Sequence, residues 1–323
     1  MQIGYALASE EHRPMDLVAN AVRAEEAGFD FASISDHYHP WIDNQGQSPF
    51  VWAVIGGIAH ATGRITIGTG VTCPIMRIHP AIIAHAAATA ADMLPGRFYL
   101  GVGSGENLNE HILGERWPSA DERRDMLEES VALIRELWRG ELSSFYGVHF
   151  TVTDARLYTV PVEPPPIHIA AAGDRAAELA GRIGDGLIAT APERELVDAF
   201  EKGGGAGKPR YGQVTVSWHT DEAEAKRLAK QYWPTSALRG ELNTELPLPR
   251  HFEQATQDVT EDQLARQIIC GADPAKLVEA IQKYAKAGFD HVYIHQVGPD
   301  QASFFDAYQR EVLPELRHIL KAA

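Results

Sequence analysis

Eight short, mostly apolar runs recur along the chain, and a stretch of helical period follows each of them. They are residues 3–7 (IGYAL), 31–35 (FASIS), 65–71 (ITIGTGV), 98–104 (FYLGVGS), 166–171 (PIHIAA), 185–190 (DGLIAT), 213–219 (QVTVSWH) and 291–297 (HVYIHQV). Strands covered on both faces are apolar throughout instead of alternating, and strands joined through helices must pair in parallel. The intervening helical patterns cover about 14–28, 49–62, 79–93, 121–139, 174–183, 193–202, 221–233 and 274–287, with a last one at 301–321. Eight strand–helix units can close into a (β/α)8 barrel, an α/β fold of the TIM type, and 323 residues suffice for one such domain spanning 1–323. Two insertions break the alternation. Residues 141–165 contain Phe145-Tyr146-Gly147-Val148-His149-Phe150, a turn or hairpin, and residues 234–265 hold Pro247 and Pro249. Long connections at the C-terminal face of a barrel shape its ligand site.

An internal echo supports closure. Glu-Ala-Gly-Phe-Asp at 26–30 precedes the second strand, and Lys-Ala-Gly-Phe-Asp at 286–290 precedes the eighth. In both, Gly ends a helix as a left-handed cap and Phe packs at the base of the next strand.

The second strand ends in chemistry. Phe31–Ser35 runs straight into Asp36-His37-Tyr38-His39-Pro40-Trp41, and Pro40 stops any regular continuation. An α/β barrel puts reacting groups at the C-terminal ends of its strands. A carboxylate and imidazoles next to Ile34 are costly to desolvate unless they pair or bind something.

Charge narrows the partners. With 29 basic and 44 acidic residues the net charge is −15, which argues against general nucleic-acid or anionic-membrane binding. No apolar run is long enough to span a bilayer. Cys73 and Cys270 make neither a disulfide framework nor a metal motif, and the N-terminus has no basic-then-apolar leader. Those features point to a cytoplasmic protein. The scattered histidines lack zinc-ligand spacing, so no metal is expected.

Two glycine-rich stretches mimic nucleotide motifs and fail. Gly101-Val102-Gly103-Ser104-Gly105-Glu106 has Glu where a dinucleotide fingerprint needs its last Gly. Instead it reads as a strand end that lets a flat ligand approach the backbone, with Glu106 aimed at it. Lys202–Pro209 has neither the spacing nor the strand-to-helix context of a phosphate loop. By contrast, Ala170-Ala171-Ala172-Gly173-Asp174-Arg175 feeds small residues into a helix N-terminus, where amides can hold a phosphate. His295, inside the eighth run, can face the barrel mouth, although a satisfied core histidine is the favoured reading. The helix holding Ala81–Ala91 has a shallow surface suited to close packing, including across a subunit interface.

Ser35–Trp41, Gly68-Thr69-Gly70-Val71, Leu100–Glu110 and Ala180–Gly186 resemble the luciferase-like superfamily. Within it they are most similar to the coenzyme F420-dependent oxidoreductases, which include F420-dependent glucose-6-phosphate dehydrogenases. The resemblance implies a homodimer of barrels with F420 in the C-terminal mouth. By position it implies cofactor contacts from Asp36, Gly70, Val71, Cys73, Gly105, Asn109, Ala170, Ala172, Gly173 and Thr190. A non-prolyl cis peptide at Gly70–Val71 is expected to support the ring, and the Ala170–Gly173 turn to hold the phosphate. His37 matches the proposed general base, Glu106 the proton donor to the reduced ring, and Trp41 a stabiliser of developing charge. Imidazole suits removal of a hydroxyl proton near neutral pH, and a buried carboxylic acid can quench the ring's charge. The sugar-phosphate enzymes hold their substrate's phosphate with two lysines and an arginine. The matching positions here are Glu193, Asn243 and Gln267, with Arg266 beside the last.

The expected activity is therefore F420-dependent hydride transfer from an alcohol or a sugar hydroxyl, not a sugar 6-phosphate. The rivals are an FMN-dependent monooxygenase of the same superfamily, an F420-dependent sugar-6-phosphate dehydrogenase with a rearranged phosphate site, and a non-catalytic ligand-binding barrel. The paired His37 and Glu106 favour the dehydrogenase.

Overall fold

The computed structural model describes residues 1–316. Eight parallel strands form a closed ring: β1 (Gln2–Leu7), β2 (Phe31–Ile34), β3 (Thr66–Thr69), β4 (Phe98–Val102), β5 (Ile167–Ala170), β6 (Gly186–Ala189), β7 (Arg210–Ser217) and β8 (His291–Gln296). Each strand pairs with its sequence neighbour. The β6–β7 pairing (Leu187 opposite Arg210) and the β8–β1 pairing (His291 opposite Gln2) complete the ring. A two-residue strand, Ile269–Cys270, adds to the outer edge of β7. The fold is the expected (β/α)8 barrel.

All eight expected strands form. The seventh starts at Arg210, three residues early, because its polar start is satisfied: the Arg210 guanidinium donates to Gly288 O and to Glu201 Oε1. The helices follow the pattern: α1 (Pro14–Ala27), α2 (Val51–Ala61), α3 (Pro80–Met93), α4 (Ala120–Leu137), α5 (Asp174–Ile183), α6 (Arg194–Phe200), α7 (Glu222–Tyr232), α8 (Pro274–Ala287) and α9 (Gln301–Ala307). Helical backbone continues from α9 to residue 316; the rest of the 301–321 expectation lies outside the described residues.

The sequence echo has a structural purpose. Gly28 and Gly288 take φ of 88° and 101°, the left-handed region that ends α1 and α8, and Phe29 and Phe289 are buried. The Asp that follows each then reaches sideways. Asp30 accepts from Ile3 N at the start of β1, and Asp290 accepts from Arg210 N at the start of β7. Each repeat thus anchors the next strand and the beginning of a neighbour.

Inside the ring, large rings fill the N-terminal end. Tyr99 stacks on His168 (4.9 Å), His168 lies 4.7 Å from Tyr211, and Tyr211 stacks on His291 (4.2 Å). Phe31 and Tyr293 join them. Gly68 lacks a side chain because its Cβ would collide with the Tyr99 ring. Burial pushes the His168 imidazole down to about 3, so this ring of the floor is uncharged. Helices α1 to α5 pack their apolar faces on the outside of the strands, as the long buried set from Ile3 to Leu316 shows.

The first insertion is an antiparallel hairpin, Ser143–Tyr146 with Thr151–Ala155. The second is a chain of short helical pieces, Pro234–Ala237, Leu242–Glu245, Pro249–Thr256 and Glu261–Leu264. No helix among the described residues is long and apolar enough to cross a membrane.

Candidate active site

A cavity of about 1020 Å³ opens above the aromatic floor, at the C-terminal ends of the strands. Side chains converge on it from the turns after β1 (Glu10), β2 (Ser35, His37, Trp41), β3 (Gly70, Val71), β4 (Gly103–Glu106), β5 (Ala170–Ala176) and β6 (Thr190, Glu193). Gln213 of β7, Tyr293 and His295 of β8, and Trp233 and residues of 240–245 in the second insertion complete the lining.

His37 is the centre of a hydrogen-bonded group. Its Nε2 lies 3.4 Å from Glu10 Oε1, and both side chains are buried. Ser35 Oγ donates to the other Glu10 oxygen at 2.6 Å. The His37 Nδ1 is 3.1 Å from His39 O and 3.2 Å from Asn109 Nδ2. Trp41 packs its ring 5.0 Å from the imidazole, and Phe252 of the insertion backs the indole edge-on at 5.2 Å. Glu106 lines the cavity, and its Oε2 is 3.4 Å from Asn109 Nδ2. His37, Glu106 and Trp41 are thus brought together in one cavity.

A group of buried charges lies behind the wall. Arg77 pairs with Asp36 (2.9 Å) and with Glu110 (3.5 Å), and its backbone N–H donates to Glu110 at 2.7 Å. Thr72 Oγ1 donates to Asp36. Burial pushes the Glu110 carboxyl up to about 7, against the hydrogen bond and charge of Arg77, which pull it down. Burial would lower Arg77, but Asp36 and Glu110 together hold the guanidinium above its ordinary value. Glu110 is therefore a buried carboxyl with a raised value, and it sits behind the lining, not in it.

The expected cofactor positions divide into two groups. Gly70, Val71, Gly105, Ala170, Ala172, Gly173 and Thr190 line the cavity, and the Gly70–Val71 bond is cis. Asp36, Cys73 and Asn109 sit buried just behind the lining, engaged with Arg77, with the Gly105 turn and with the 37–39 backbone respectively. Of the expected substrate positions only Glu193 lines the cavity. Asn243 lies outside the lining, although its neighbours Glu241, Thr244 and Glu245 belong to it. Gln267 and Arg266 are exposed in the turn after helix Glu261–Leu264. The insertion's own helices set these two positions, so counting along the chain could not place them.

The structure adds residues as well. Glu10 had a readable signal: Ser9-Glu10-Glu11-His12 follows β1 directly, the place already argued for chemistry after β2. His295 belongs to the mouth and not the core. Its Nε2 is 3.4 Å from Glu11, which also accepts from Trp233 Nε1 and from Gly298 N.

Comparison with known proteins gives the family. The luciferase-like monooxygenase family matches residues 1–291. The chain belongs to that family. It is 37% identical to the F420-dependent glucose-6-phosphate dehydrogenase of Tsukamurella paurometabola and 38% identical to that of Microbacterium testaceum, over 98% of both chains in each case. Among solved structures it superposes on an F420-dependent secondary alcohol dehydrogenase bound to an F420–acetone adduct. The TM-score is 0.91 and the identity 33%, covering 98% of this chain and 99% of the other. The F420-dependent tetrahydromethanopterin reductase of Methanopyrus kandleri, 23% identical with a TM-score of 0.80 over 98% and 99% of the chains, shares the fold.

Proposed function

We propose that this luciferase-like protein is a coenzyme F420-dependent dehydrogenase that oxidises an uncharged alcohol or sugar hydroxyl, or reduces the matching carbonyl. The observation behind the reading is that the buried Glu10–His37 pair and Glu106 line one cavity and meet through Asn109. It supplies a proton acceptor and a proton donor within one cavity, as hydride chemistry needs. The F420 enzymes among its relatives supply the cofactor class.

The residues fit the cofactor. Gly173 lines the cavity and a Cβ there would meet only open space, so the wall at this point is a cradle. The ten-residue helix α5 begins just beyond it with no side-chain cap, leaving its first amides for an anion such as the cofactor's phosphate. Gly70, Val71 and Gly103–Gly105 give a flat, small-residue wall for a planar ring. Bound there, F420 supplies the hydride acceptor. The chain's own part is then to take the hydroxyl proton at the Glu10–His37 pair, to hold a proton at Glu106 and to exclude water with Trp41 and Trp233.

The substrate end favours neutral molecules. Glu193 stands where the sugar-phosphate enzymes have a cation, and among the described residues no lysine lines the cavity. Its arginines, Arg123, Arg124 and Arg175, are engaged with Glu245 and Asp121. We further propose that the barrel acts as one domain in a cytoplasmic homodimer, with α3 exposing Ile82 and Met93 for contact. The test is a fluorescence titration of F420 against FMN, then a screen of secondary alcohols, polyols and glucose 6-phosphate with the winner. FMN binding without F420 binding would favour the monooxygenase reading.

A further inference from the structure

Asn109 is 1% exposed, and all four of its hydrogen-bonding positions face partners. Its Oδ1 accepts from Tyr38 N (2.9 Å) and His39 N (3.2 Å). Backbone amides can only donate, so the amide cannot be turned round without setting its NH2 against two N–H groups. The Nδ2 is therefore fixed on the side of His37 Nδ1, at 3.2 Å, and of Glu106 Oε2, at 3.4 Å. A ring nitrogen that accepts a hydrogen bond carries no proton, and a neutral imidazole then holds its proton on the other nitrogen. That other nitrogen, Nε2, faces the Glu10 carboxylate. The opposite tautomer would satisfy only His39 O, 3.1 Å away, and would oppose both Asn109 and Glu10.

An Nε2 that already bears a proton has no lone pair for a substrate hydroxyl. The imidazole's free lone pair is on Nδ1, turned to buried Asn109. Glu10 lines the cavity, is held by donors from Ser35 and His37, and has lone pairs to spare. We infer that Asn109 is a positioning residue that fixes His37 as an Nε2–H donor, and that the Glu10 carboxylate takes the substrate's hydroxyl proton. In this step the O–H bond breaks and the proton bonds to a Glu10 oxygen. The oxygen's electron pair forms the C=O bond as the C–H pair departs as the hydride that the cofactor accepts. The alcohol is oxidised, the cofactor is reduced and Glu10 ends neutral. The Glu10 half of the inference rests on the dehydrogenase reading; the tautomer does not.

Nitrogen-15 NMR of histidine-labelled protein tests the tautomer without cofactor or turnover, the His37 signals being assigned by their loss in His37→Gln. The expected spectrum has an unprotonated Nδ1 and a protonated Nε2. Asn109→Asp, which offers an acceptor in place of the donor, should reverse them. Steady-state assays test Glu10. Glu10→Gln should lower kcat roughly 10²–10⁴-fold, the usual loss for a general base. His37→Gln, which can still donate to Glu10 but cannot act as a base, should lower kcat at least about tenfold less than Glu10→Gln does, because it alters one hydrogen bond and leaves the proton acceptor in place. A proton on Nδ1 in the parent overturns the positioning role. A 10²-fold or greater loss in His37→Gln with near-parent turnover in Glu10→Gln overturns the assignment to Glu10. An Nε2–H tautomer in a protein that binds F420 but oxidises no alcohol supports the positioning role; it overturns the dehydrogenase reading and Glu10's part in it.

Discussion

Replacing Glu110 with Gln removes a charge that the fold holds at a cost. Glu110 has no exposed surface, and burial lifts its carboxyl from 4.5 to about 7 in spite of the Arg77 N–H and guanidinium beside it. The unfolded chain loses this proton near 4.5 and the folded chain near 7. Between those values the folded state binds more protons, so each rise in pH favours unfolding. Stability from this group is complete below the unfolded value and is lost as pH climbs through 7. The gap corresponds to about 3 kcal/mol at roughly 1.4 kcal/mol per pH unit. Gln keeps an oxygen for the Arg77 N–H and cannot ionise. The stability difference between Glu110→Gln and the parent should therefore rise in favour of the variant by about 2–3 kcal/mol from near pH 5 to near pH 8.5. Urea unfolding followed by circular dichroism and by tryptophan fluorescence measures it, with coincident transitions as the condition for comparing free energies. Other titrating groups cancel in the difference. A difference that is flat or falling over that range would show that Glu110 is already ionised in the fold near pH 5, and would refute the reasoning.

Arg77→Met should cost about 3–5 kcal/mol in the same urea experiment near pH 8, because it leaves Asp36 buried without its cation; a loss below about 1 kcal/mol would count against a buried pair. Gly173→Val should weaken F420 binding by tenfold or more, with unchanged circular dichroism, since its branched side chain fills the cradle beside the α5 N-terminus; unchanged affinity would move the anion elsewhere. Glucose 6-phosphate should be turned over at least about 10²-fold less efficiently than the best neutral alcohol, each missing charge-assisted hydrogen bond being worth about 1.5–3 kcal/mol. Micromolar Michaelis constants for the phosphate would contradict the neutral pocket.

The barrel was legible because its strands are covered on both faces and its caps are local. The Gly-Phe-Asp repeat announces itself within five residues, and the 31–41 stretch holds its acid, imidazoles and indole side by side. What escaped was set by neighbours in space. Glu10 follows a strand, which is a readable signal, but its partners Ser35 and His37 arrive only when the ring closes and puts β1 beside β2. Glu110 looks like a helix-surface residue until Arg77 arrives from the turn after β3. His295 reads as core because apolar residues surround it in sequence; Glu11 and Trp233, from 284 and 62 residues away, turn it to the mouth. Asn243 and Gln267 escaped for a different reason. They sit within and just after an insertion whose helical pieces follow their own caps, such as the Thr260–Gln263 box, so register along the chain is lost there.

The stacked rings of Tyr99, His168, Tyr211 and His291 make the barrel a vessel with one opening. Nothing that enters at the top can drain through the bottom, so every molecule leaves by the door it came in. Traffic through a single door has an order: the guest seated deeper arrives first and departs last, and the one nearer the threshold bars its exit while it stays. In such a room occupancy is itself a lock, and residence time belongs to the pair of guests together.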